Sequence, residues 1–259
     1  MKIAVIGAGA MGGAVVEGLV KSGFPAADIS VSDPSQKVLD KFAGIGTSAT
    51  TDNRSAIAGA DLIMVFVKPW LVKDVLEDIK GDINSDSQTL AVIAAGVSSK
   101  DLIEWLDTGS DMPQTAIVIP NTAASVLQSM TFIAPVTAMG EPLSLIDDTF
   151  KRVGATMIVE ERLLAAGTTL ASCGIAYALR YIRAAVEGGV ELGFRADMAQ
   201  EIVAQTVKGA ASLLAGGAHA ESEIDKVTTP GGVTIKGLNE MERAGFSSAV
   251  IRGLKAGLK

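Results

Sequence analysis

Short apolar runs alternate with stretches of helical periodicity over the first 160 residues of the chain. The apolar runs lack a polar face, which is typical of strands that are covered on both sides of a sheet. Strands are predicted at residues 3–6, 29–31, 62–67, 89–93, 116–119, 131–134 and 156–159, and helices at 11–20, 35–42, 71–79, 101–106 and after Pro142. This alternation predicts an α/β domain with a mostly parallel sheet between two layers of helices.

The strand pattern stops near residue 160, and the rest of the chain has helical periodicity only. Helices are predicted at residues 163–192, 197–214 and 234–244. The first of them is expected to break or kink near Cys173-Gly174, and its part 175–192 is apolar on most of its circumference, so that part has to be buried on nearly all sides. We therefore predict two domains, residues 1–160 and 161–259. We favour burial of the apolar helix in a dimer over burial against the first domain.

A glycine-rich segment follows the first predicted strand and opens the first predicted helix. The segment Gly7-Ala8-Gly9-Ala10-Met11-Gly12 fits G-x-G-x-x-G, the fingerprint of Rossmann-type dinucleotide-binding domains. Its glycines allow a tight turn, close approach of the backbone to a pyrophosphate and close packing of helix on strand. The alternative, that they serve packing alone, is disfavoured by the position of the motif between strand and helix. The predicted cofactor contacts of this loop are Gly7, Gly9, Ala10, Met11 and Gly12.

An acidic residue stands at the end of the second predicted strand, where the fingerprint requires one. Asp33 lies 21 positions after Gly12, and a carboxylate there binds the ribose 2′-hydroxyl of NAD and repels the 2′-phosphate of NADP. Ser32, Ser35 and Lys37 lie beside Asp33 and would accommodate that phosphate if Asp33 turned away. The residues therefore favour NAD and leave NADP open.

Composition excludes several classes of protein. The chain has 22 Lys and Arg against 29 Asp and Glu, a net charge of −7, which argues against a nucleic-acid partner. One cysteine and one histidine exclude a disulfide framework and argue against a metal site. The longest apolar run, Ile3 to Val16, is glycine-rich and shorter than the roughly 20 residues that cross a bilayer. We therefore expect a cytoplasmic protein with no metal and no membrane partner.

Three further segments combine turn residues with the end of a strand or the start of a helix. Val67-Lys68-Pro69 and Pro120-Asn121-Thr122 each follow a predicted strand. They should lie at the carboxyl edge of the sheet, where ligands bind in open α/β folds. Thr228–Thr234 contains Thr-Thr-Pro-Gly-Gly and precedes a helix, whose N-terminus can bind a carboxylate. Taken alone, an ordinary helix start explains this last segment equally well.

Together these segments resemble the pyrroline-5-carboxylate reductase family. The resemblance runs along the whole chain, through the glycine loop, Val67–Pro69, Pro120–Thr122, Gly174–Tyr177 and Val227–Ile235, followed by Gly237-Leu238, Glu242 and Gly245-Phe246. It implies reduction of the C=N bond of 1-pyrroline-5-carboxylate to L-proline by NADH or NADPH, in proline biosynthesis. It also implies that the helical domain forms a homodimer, and that dimers assemble into decamers.

The resemblance assigns roles to single residues. It makes Thr234, which would hydrogen-bond the imine nitrogen, the expected catalytic residue, and it places Asn121 by the nicotinamide. The other implied substrate contacts are Thr229, Gly231, Gly232, Val233 and Cys173, the last at the position of a pocket serine. It also matches Asn53 and Lys68 to cofactor-side positions, and the remaining predicted cofactor contacts are Ser32, Asp33, Val67 and Pro69.

The chain departs from the usual family sequence around the expected pocket. Ser172-Cys173-Gly174-Ile175 stands in place of Gly-Ser-Gly-Pro, Ala123 in place of proline, and Trp70 in place of glutamine. These changes leave open a reductase that acts on another cyclic imine or on a keto acid. A non-catalytic, dinucleotide-binding regulatory protein is the alternative from a different class. The retained Thr234 and Pro-Gly-Gly sequence argue against it.

Overall fold

The structure, a computed structural model, describes residues 1–109 and 112–258. Contacts divide the chain into two compact units, Met1–Ile175 and Ala176–Lys259, which are called unit 1 and unit 2 below. The division falls later in the chain than the predicted boundary at residue 160. Each unit is described by itself.

One eight-stranded sheet forms the centre of unit 1. Its strands are β1 (Ile3–Ile6), β2 (Ile29–Ser32), β3 (Ser48–Thr50), β4 (Leu62–Val65), β5 (Thr89–Val92), β6 (Gln114–Ile119), β7 (Ser129–Pro135) and β8 (Gly154–Ile158). They lie in the order β3-β2-β1-β4-β5-β6-β7-β8, and every neighbouring pair is parallel except β6 and β7. The mostly parallel sheet is therefore confirmed. Its strand order reverses between β1 and β4, which creates the crevice where doubly wound folds bind their ligands.

Helices cover both faces of this sheet. They are α1 (Ala10–Lys21), α2 (Gln36–Ala43), α3 (Asn53–Ile57), α4 (Val72–Ile79), α5 (Ser99–Leu106) and α6 (Glu141–Lys151). Alternate residues of β1 belong to two different buried clusters, Ile3 and Val5 to one and Ala4 and Ile6 to the other. Both faces of the strand are thus apolar and buried, which explains why the sequence shows uninterrupted apolar runs.

Two short elements of unit 1 were not predicted from the sequence. Strand β3 has the sequence Ser-Ala-Thr and lies at the edge of the sheet, so it carries no apolar pattern. Helix α3 has five residues and is too short to show helical periodicity. Its start is fixed by the Asp52 side chain, which accepts a hydrogen bond from the Arg54 N–H at 3.1 Å.

A long helix begins directly after the last strand. It consists of a 3₁₀ turn (Glu161–Leu163), α7 (Leu164–Gly167), a π turn (Thr168–Ser172) and α8 (Cys173–Glu191). The expected irregularity near Cys173 is present as the π turn that ends just before it. The first part of the helix packs on the sheet, since Leu164 is 7% exposed and belongs to one of the two clusters.

By length and composition alone, residues Glu161–Glu191 could also cross a membrane. The helix has 31 residues, an 18-residue window with a mean hydropathy of 1.2, and 17% of that window buried. The prediction that no segment is long enough to cross a bilayer rested on uninterrupted apolar runs, and by length and composition it is wrong for this helix. An apolar helix at the interface of an oligomer gives the same signal as a membrane span.

Unit 2 contains helices alone among its described residues. After α8 come α9 (Ala196–Ala215), α10 (Ala220–Lys226), α11 (Val233–Arg243) and α12 (Phe246–Ala256), of which α10 and α12 were not predicted. Val186 and Ala199 are its only buried apolar side chains among the described residues, while Leu192 and Val233 are more than four-fifths exposed. So little burial is unusual for a stable helical domain, and the exposed apolar surface marks an interface.

The close approach between α1 and the turn after β6 gives a first test of the fold. A Cβ added to Gly18 would lie 2.2 Å from the carbonyl oxygen of Ala124. We expect Gly18→Ala to lower the free energy of unfolding by about 1–3 kcal/mol, because the helix would have to move off its neighbour. Urea denaturation measures this difference. Gly81→Ala is the control, since its Cβ would meet nothing within 4 Å, and equal stability of the two variants would contradict the packing described here.

Candidate active site

Four segments with candidate site residues meet at one edge of the sheet in unit 1. The glycine loop follows β1, Asp33 follows β2, Val67 lies just beyond β4, and Pro120 follows β6. These four strands all run in the same direction, so their carboxyl ends lie at the same edge. The structure therefore brings the predicted cofactor-side residues together at the crevice beside β1 and β4.

The three glycines of the loop have three different environments. Gly7 has a φ of +87°, and its Cβ would lie 3.0 Å from the Phe66 carbonyl oxygen. A Cβ on Gly12 would lie 2.1 Å from the Gly7 carbonyl oxygen, so helix and strand approach as closely as glycine allows. A Cβ on Gly9 would meet nothing within 4 Å. Gly7 and Gly12 are thus required by the fold, and Gly9 leaves free space at the start of the helix.

The N-terminus of α1 fits a phosphate group. Gly9 is its N-cap, no side chain caps the helix, and its first turn carries no acidic residue. Free N–H groups and the helix dipole favour an anion at such a position. A cavity of about 230 Å³ beside it is lined by Gly9, Ala10, Thr122 and Ser125, among others. The loop is therefore suited to the pyrophosphate of a dinucleotide.

Asp33 is held in place by backbone N–H groups on both sides. Its Oδ2 accepts a hydrogen bond from the Ala8 N–H at 2.9 Å, and its Oδ1 accepts one from the Ser35 N–H at 2.9 Å. The Gly7 N–H also donates to the Ser32 carbonyl at 2.7 Å. These contacts join the end of β2 to the glycine loop, so the carboxylate stays beside the loop.

Ser32 and Asn53, two of the predicted cofactor contacts, are joined to each other. The Ser32 side chain is 1% exposed and donates a hydrogen bond to Asn53 Oδ1 at 2.7 Å. The Ser32 hydroxyl therefore orients the Asn53 side chain. Ser35 and Lys37 remain exposed beside Asp33.

Asn121 is the most extensively bonded residue of the predicted site. It is 3% exposed, and its backbone N–H donates to the Ser129 hydroxyl at 3.1 Å. Its Oδ1 accepts a hydrogen bond from the Ala123 N–H at 3.0 Å, which caps the 3₁₀ turn Thr122–Val126. Ser129 was missed by the sequence analysis, because only the antiparallel return of β7 along β6 brings it to this position.

The segment after β4 exposes its side chains. Val67 is half-buried, while Lys68 and Pro69 are exposed, and Pro69 opens the short 3₁₀ turn Pro69–Leu71. Trp70, the residue that departs from the family, is 74% exposed within this turn. An ammonium group and an indole ring therefore border the same edge of the sheet as the glycine loop.

The Thr228–Thr234 segment lies in unit 2 and forms a tight turn into α11. The Gly232 N–H donates to the Thr229 carbonyl at 3.0 Å, and Gly231, with a φ of +71°, occupies the third position of this turn. A proline followed by a residue of positive φ is typical of a type II turn. A Cβ on Gly232 would lie 2.5 Å from the Thr229 hydroxyl oxygen, so both glycines are needed for this geometry.

The start of α11 can hold a carboxylate. No side chain caps it, and its first turn has no acidic residue. Thr234, in that first turn, is half-buried, and its hydroxyl makes no hydrogen bond within the described part of the chain, while Val233 beside it is 85% exposed. Cys173 is the predicted substrate contact outside the Thr228–Thr234 segment. It is half-buried at the start of α8 and belongs to unit 1.

Two family models match the chain. Residues 161–259 match the model described as pyrroline-5-carboxylate reductase dimerisation, and residues 2–98 match the one described as NADP oxidoreductase, coenzyme F420-dependent. The match of an oxidoreductase model to the sheet and of a dimerisation model to the helices confirms the predicted fold class.

Curated relatives align with nearly the whole length of the chain. The pyrroline-5-carboxylate reductase of Methanosarcina acetivorans is 36% identical over 97% of this chain and 94% of its own length. The chain belongs to the pyrroline-5-carboxylate reductase family. Pyrroline-5-carboxylate reductase 1 of Dictyostelium discoideum is 37% identical over 97% of this chain, which spans 48% of that longer relative.

Solved structures show the same fold. The pyrroline-5-carboxylate reductase of Coxiella burnetii aligns with a TM-score of 0.87 and 27% identity over 99% of this chain and 96% of that one. The pyrroline carboxylate reductase of Plasmodium falciparum, solved with NADP bound, aligns with a TM-score of 0.89 and 23% identity over 100% and 95%.

Family membership explains the exposed apolar surface of the helices. The dimerisation match begins at residue 161 and so includes the long helix and all of unit 2. A second copy of the chain therefore accounts for the surface that one chain leaves uncovered, and the dimerisation domain implies a homodimer.

The different surroundings of Gly9 and Gly12 give a matched pair of variants. Gly9→Ala should keep the wild-type melting temperature and weaken NADH and NADPH binding at least about tenfold, because its Cβ would enter space otherwise open to the pyrophosphate. Gly12→Ala should lower the melting temperature, because its Cβ would meet the Gly7 carbonyl. Thermal denaturation and cofactor fluorescence titration measure the two effects. If Gly9→Ala bound the cofactor normally, the phosphate site would lie elsewhere.

Proposed function

We propose that the chain reduces the C=N bond of 1-pyrroline-5-carboxylate to L-proline, with the Thr228–Thr234 segment binding the substrate. The observation that carries the residue assignment is the uncapped start of α11, where no acidic residue lies in the first turn. The reaction itself is the one that the family catalyses, and this chain is an NAD(P)-dependent reductase of that family.

The substrate carboxylate binds at the start of α11. The tight turn at Gly231 and Gly232 leaves the backbone N–H groups of the first helical turn free, and the helix dipole favours a negative charge beside them. No basic side chain is needed for this contact. The exposed Thr229 hydroxyl and the Val233 side chain border the same position.

Thr234 orients the ring nitrogen of the substrate. Reduction of an imine transfers a hydride, a proton with two electrons, to the ring carbon and requires a second proton on the nitrogen. A cyclic imine can carry that proton near neutral pH, so no dedicated acid is needed. The Thr234 hydroxyl, which is free of other partners in the described chain, can accept a hydrogen bond from the protonated nitrogen. Positioning of the reacting atoms is then the main contribution of the protein.

The residues at the sheet edge of unit 1 fit a nicotinamide dinucleotide. Gly9, Ala10 and Met11 would hold the pyrophosphate at the start of α1, and Asp33 and Asn53 would meet the adenine ribose. Lys68 and Asn121 border the same edge at β4 and β6. The reduced nicotinamide supplies the hydride, and one N–H of the Asn121 side chain can meet its carboxamide.

The position of Asp33 supports NADH as the preferred cofactor. Both carboxylate oxygens are held by backbone N–H groups, so the negative charge stays where a 2′-phosphate would lie. Ser35 and Lys37 nevertheless remain exposed, and they would support NADPH if the phosphate bound on their side.

Domain organisation, assembly and location follow from the same proposal. We place the functional boundary at residues 160 and 161, just after β8 and at the start of the dimerisation match. We further propose that dimers assemble into decamers and that the protein works in the cytoplasm. The apolar face of the long helix then lies against a second subunit and not in a lipid bilayer.

The substitution Thr234→Ala tests the substrate assignment. It should lower kcat/KM for pyrroline-5-carboxylate roughly ten- to a hundredfold, the loss expected for one hydrogen bond to a charged group, with cofactor affinity unchanged. Thr234→Ser, which keeps the hydroxyl, should retain most of the activity. Thr206→Ala is the matched control, because the Thr206 hydroxyl already donates to the Ile202 carbonyl of its own helix at 2.8 Å and lies outside the proposed substrate segment. A loss of cofactor binding in Thr234→Ala would show that Thr234 is misplaced.

The cofactor assignment is tested by kcat/KM with NADH and with NADPH. We expect the wild type to prefer NADH. Asp33→Asn should shift the ratio towards NADPH by about tenfold, because it removes the charge that repels the 2′-phosphate. A strong NADPH preference of the wild type would overturn the assignment. Turnover of other cyclic imines or keto acids but not of pyrroline-5-carboxylate would favour a different substrate, and cofactor binding without any turnover would favour a regulatory protein.

A further inference from the structure

The long helix is irregular immediately before the predicted pocket residue Cys173. Its π turn, Thr168–Ser172, interrupts the α-helical pattern, and such turns occur frequently at functional sites. Residues 161–191 contain no proline, so the irregularity has another cause. A Cβ on Gly167 would lie 2.8 Å from the Phe132 ring, which shows how closely the helix lies on β7 at this point.

Two hydrogen bonds join the π turn to the segment after β6. The Ser172 hydroxyl donates to the Pro120 carbonyl at 2.8 Å, and the Asn121 side-chain Nδ2 donates to the Ala171 carbonyl at 3.4 Å. One bond is donated by the π turn and the other by the segment after β6. Ser172 directly precedes Cys173 and Pro120 directly precedes Asn121, so the two bonds connect the surroundings of these two predicted site residues.

This connection determines which way the Asn121 amide faces. Its Oδ1 already accepts from the Ala123 N–H, and the opposite amide orientation would set this oxygen against the Ala171 carbonyl. An asparagine amide has two N–H donors, of which one is used by Ala171. The other remains for a ligand at the sheet edge.

We propose that Ser172 is a positioning residue, whose hydrogen bond to the Pro120 carbonyl holds Asn121 and Cys173 in place for the reaction. The proposal rests on the proposed function, in which Asn121 lies by the nicotinamide and Cys173 in the substrate pocket. Ser172 itself touches neither ligand. Small displacements of groups around reacting atoms lower kcat strongly, so the loss of this link should slow turnover more than it weakens binding.

Kinetics of four variants test this inference. Ser172→Ala and Ser172→Gly, which both remove the hydroxyl, should lower kcat about tenfold and change each KM by less than about threefold. Ser172→Thr keeps the hydroxyl and should stay within about threefold of the wild-type kcat. Ser212→Ala is the matched control, because the Ser212 hydroxyl donates at the same distance, 2.8 Å, to Lys208 of its own helix.

Hydrogen–deuterium exchange of the ligand-free protein gives a second readout that does not depend on activity. In Ser172→Ala, peptides covering residues 118–127 and 166–176 should both exchange faster, because each segment loses its link to the other. The Ser212→Ala variant should leave both peptides at the wild-type rate.

The outcomes separate this inference from the proposed function. Wild-type kcat in both Ser172→Ala and Ser172→Gly would overturn the positioning role, and so would a Ser172→Thr variant as slow as Ser172→Ala. Faster exchange in only one of the two peptides would likewise contradict the link. If the wild type failed to reduce pyrroline-5-carboxylate with either cofactor, the proposed function would be wrong.

Discussion

The close packing of α1 is the constraint on which the rest of unit 1 depends. At its start the helix meets the Gly7 carbonyl, and further along it meets the Ala124 carbonyl, in both cases at positions where only glycine fits. The first contact directs the free N–H groups of the helix towards the crevice between β1 and β4. The second sets the position of the turn that follows Asn121. One helix thus fixes both the proposed phosphate site and the position of Asn121, the residue proposed to lie by the nicotinamide.

The chemistry of the site relies on backbone groups and on geometry. Both anionic groups of the ligands, the pyrophosphate and the substrate carboxylate, are assigned to helix starts that lack acidic residues. This explains how a chain with a net charge of −7 can bind two anions without a basic patch. It also agrees with a reaction whose hydride comes from the cofactor and whose substrate carries its own proton. Such a site does not require a titratable side chain as a general acid or base.

Much of this arrangement could be predicted from the sequence, because strands buried on both faces and a glycine fingerprint leave strong local patterns. The strand β3 and the helix α3 could not, since three polar or small residues and a five-residue helix carry no periodicity. The partners of Asp33, Asn121 and Ser172 depend on contacts between segments far apart in the chain. Ser129 reaches Asn121 only through the antiparallel pairing of β6 and β7. No local pattern could show these contacts.

The scarcity of buried side chains in unit 2 has a consequence for the stability of the enzyme. With only Val186 and Ala199 buried among its described apolar residues, the helical unit of one chain buries little apolar surface by itself, and association adds to its hydrophobic stabilisation. Folding and assembly then form a single equilibrium, and its midpoint depends on protein concentration. Thr234 and the turn before it lie in this unit. If the substrate binds at this turn, as proposed, its site forms only when the subunits associate, and dilution would then remove catalysis and structure in the same step.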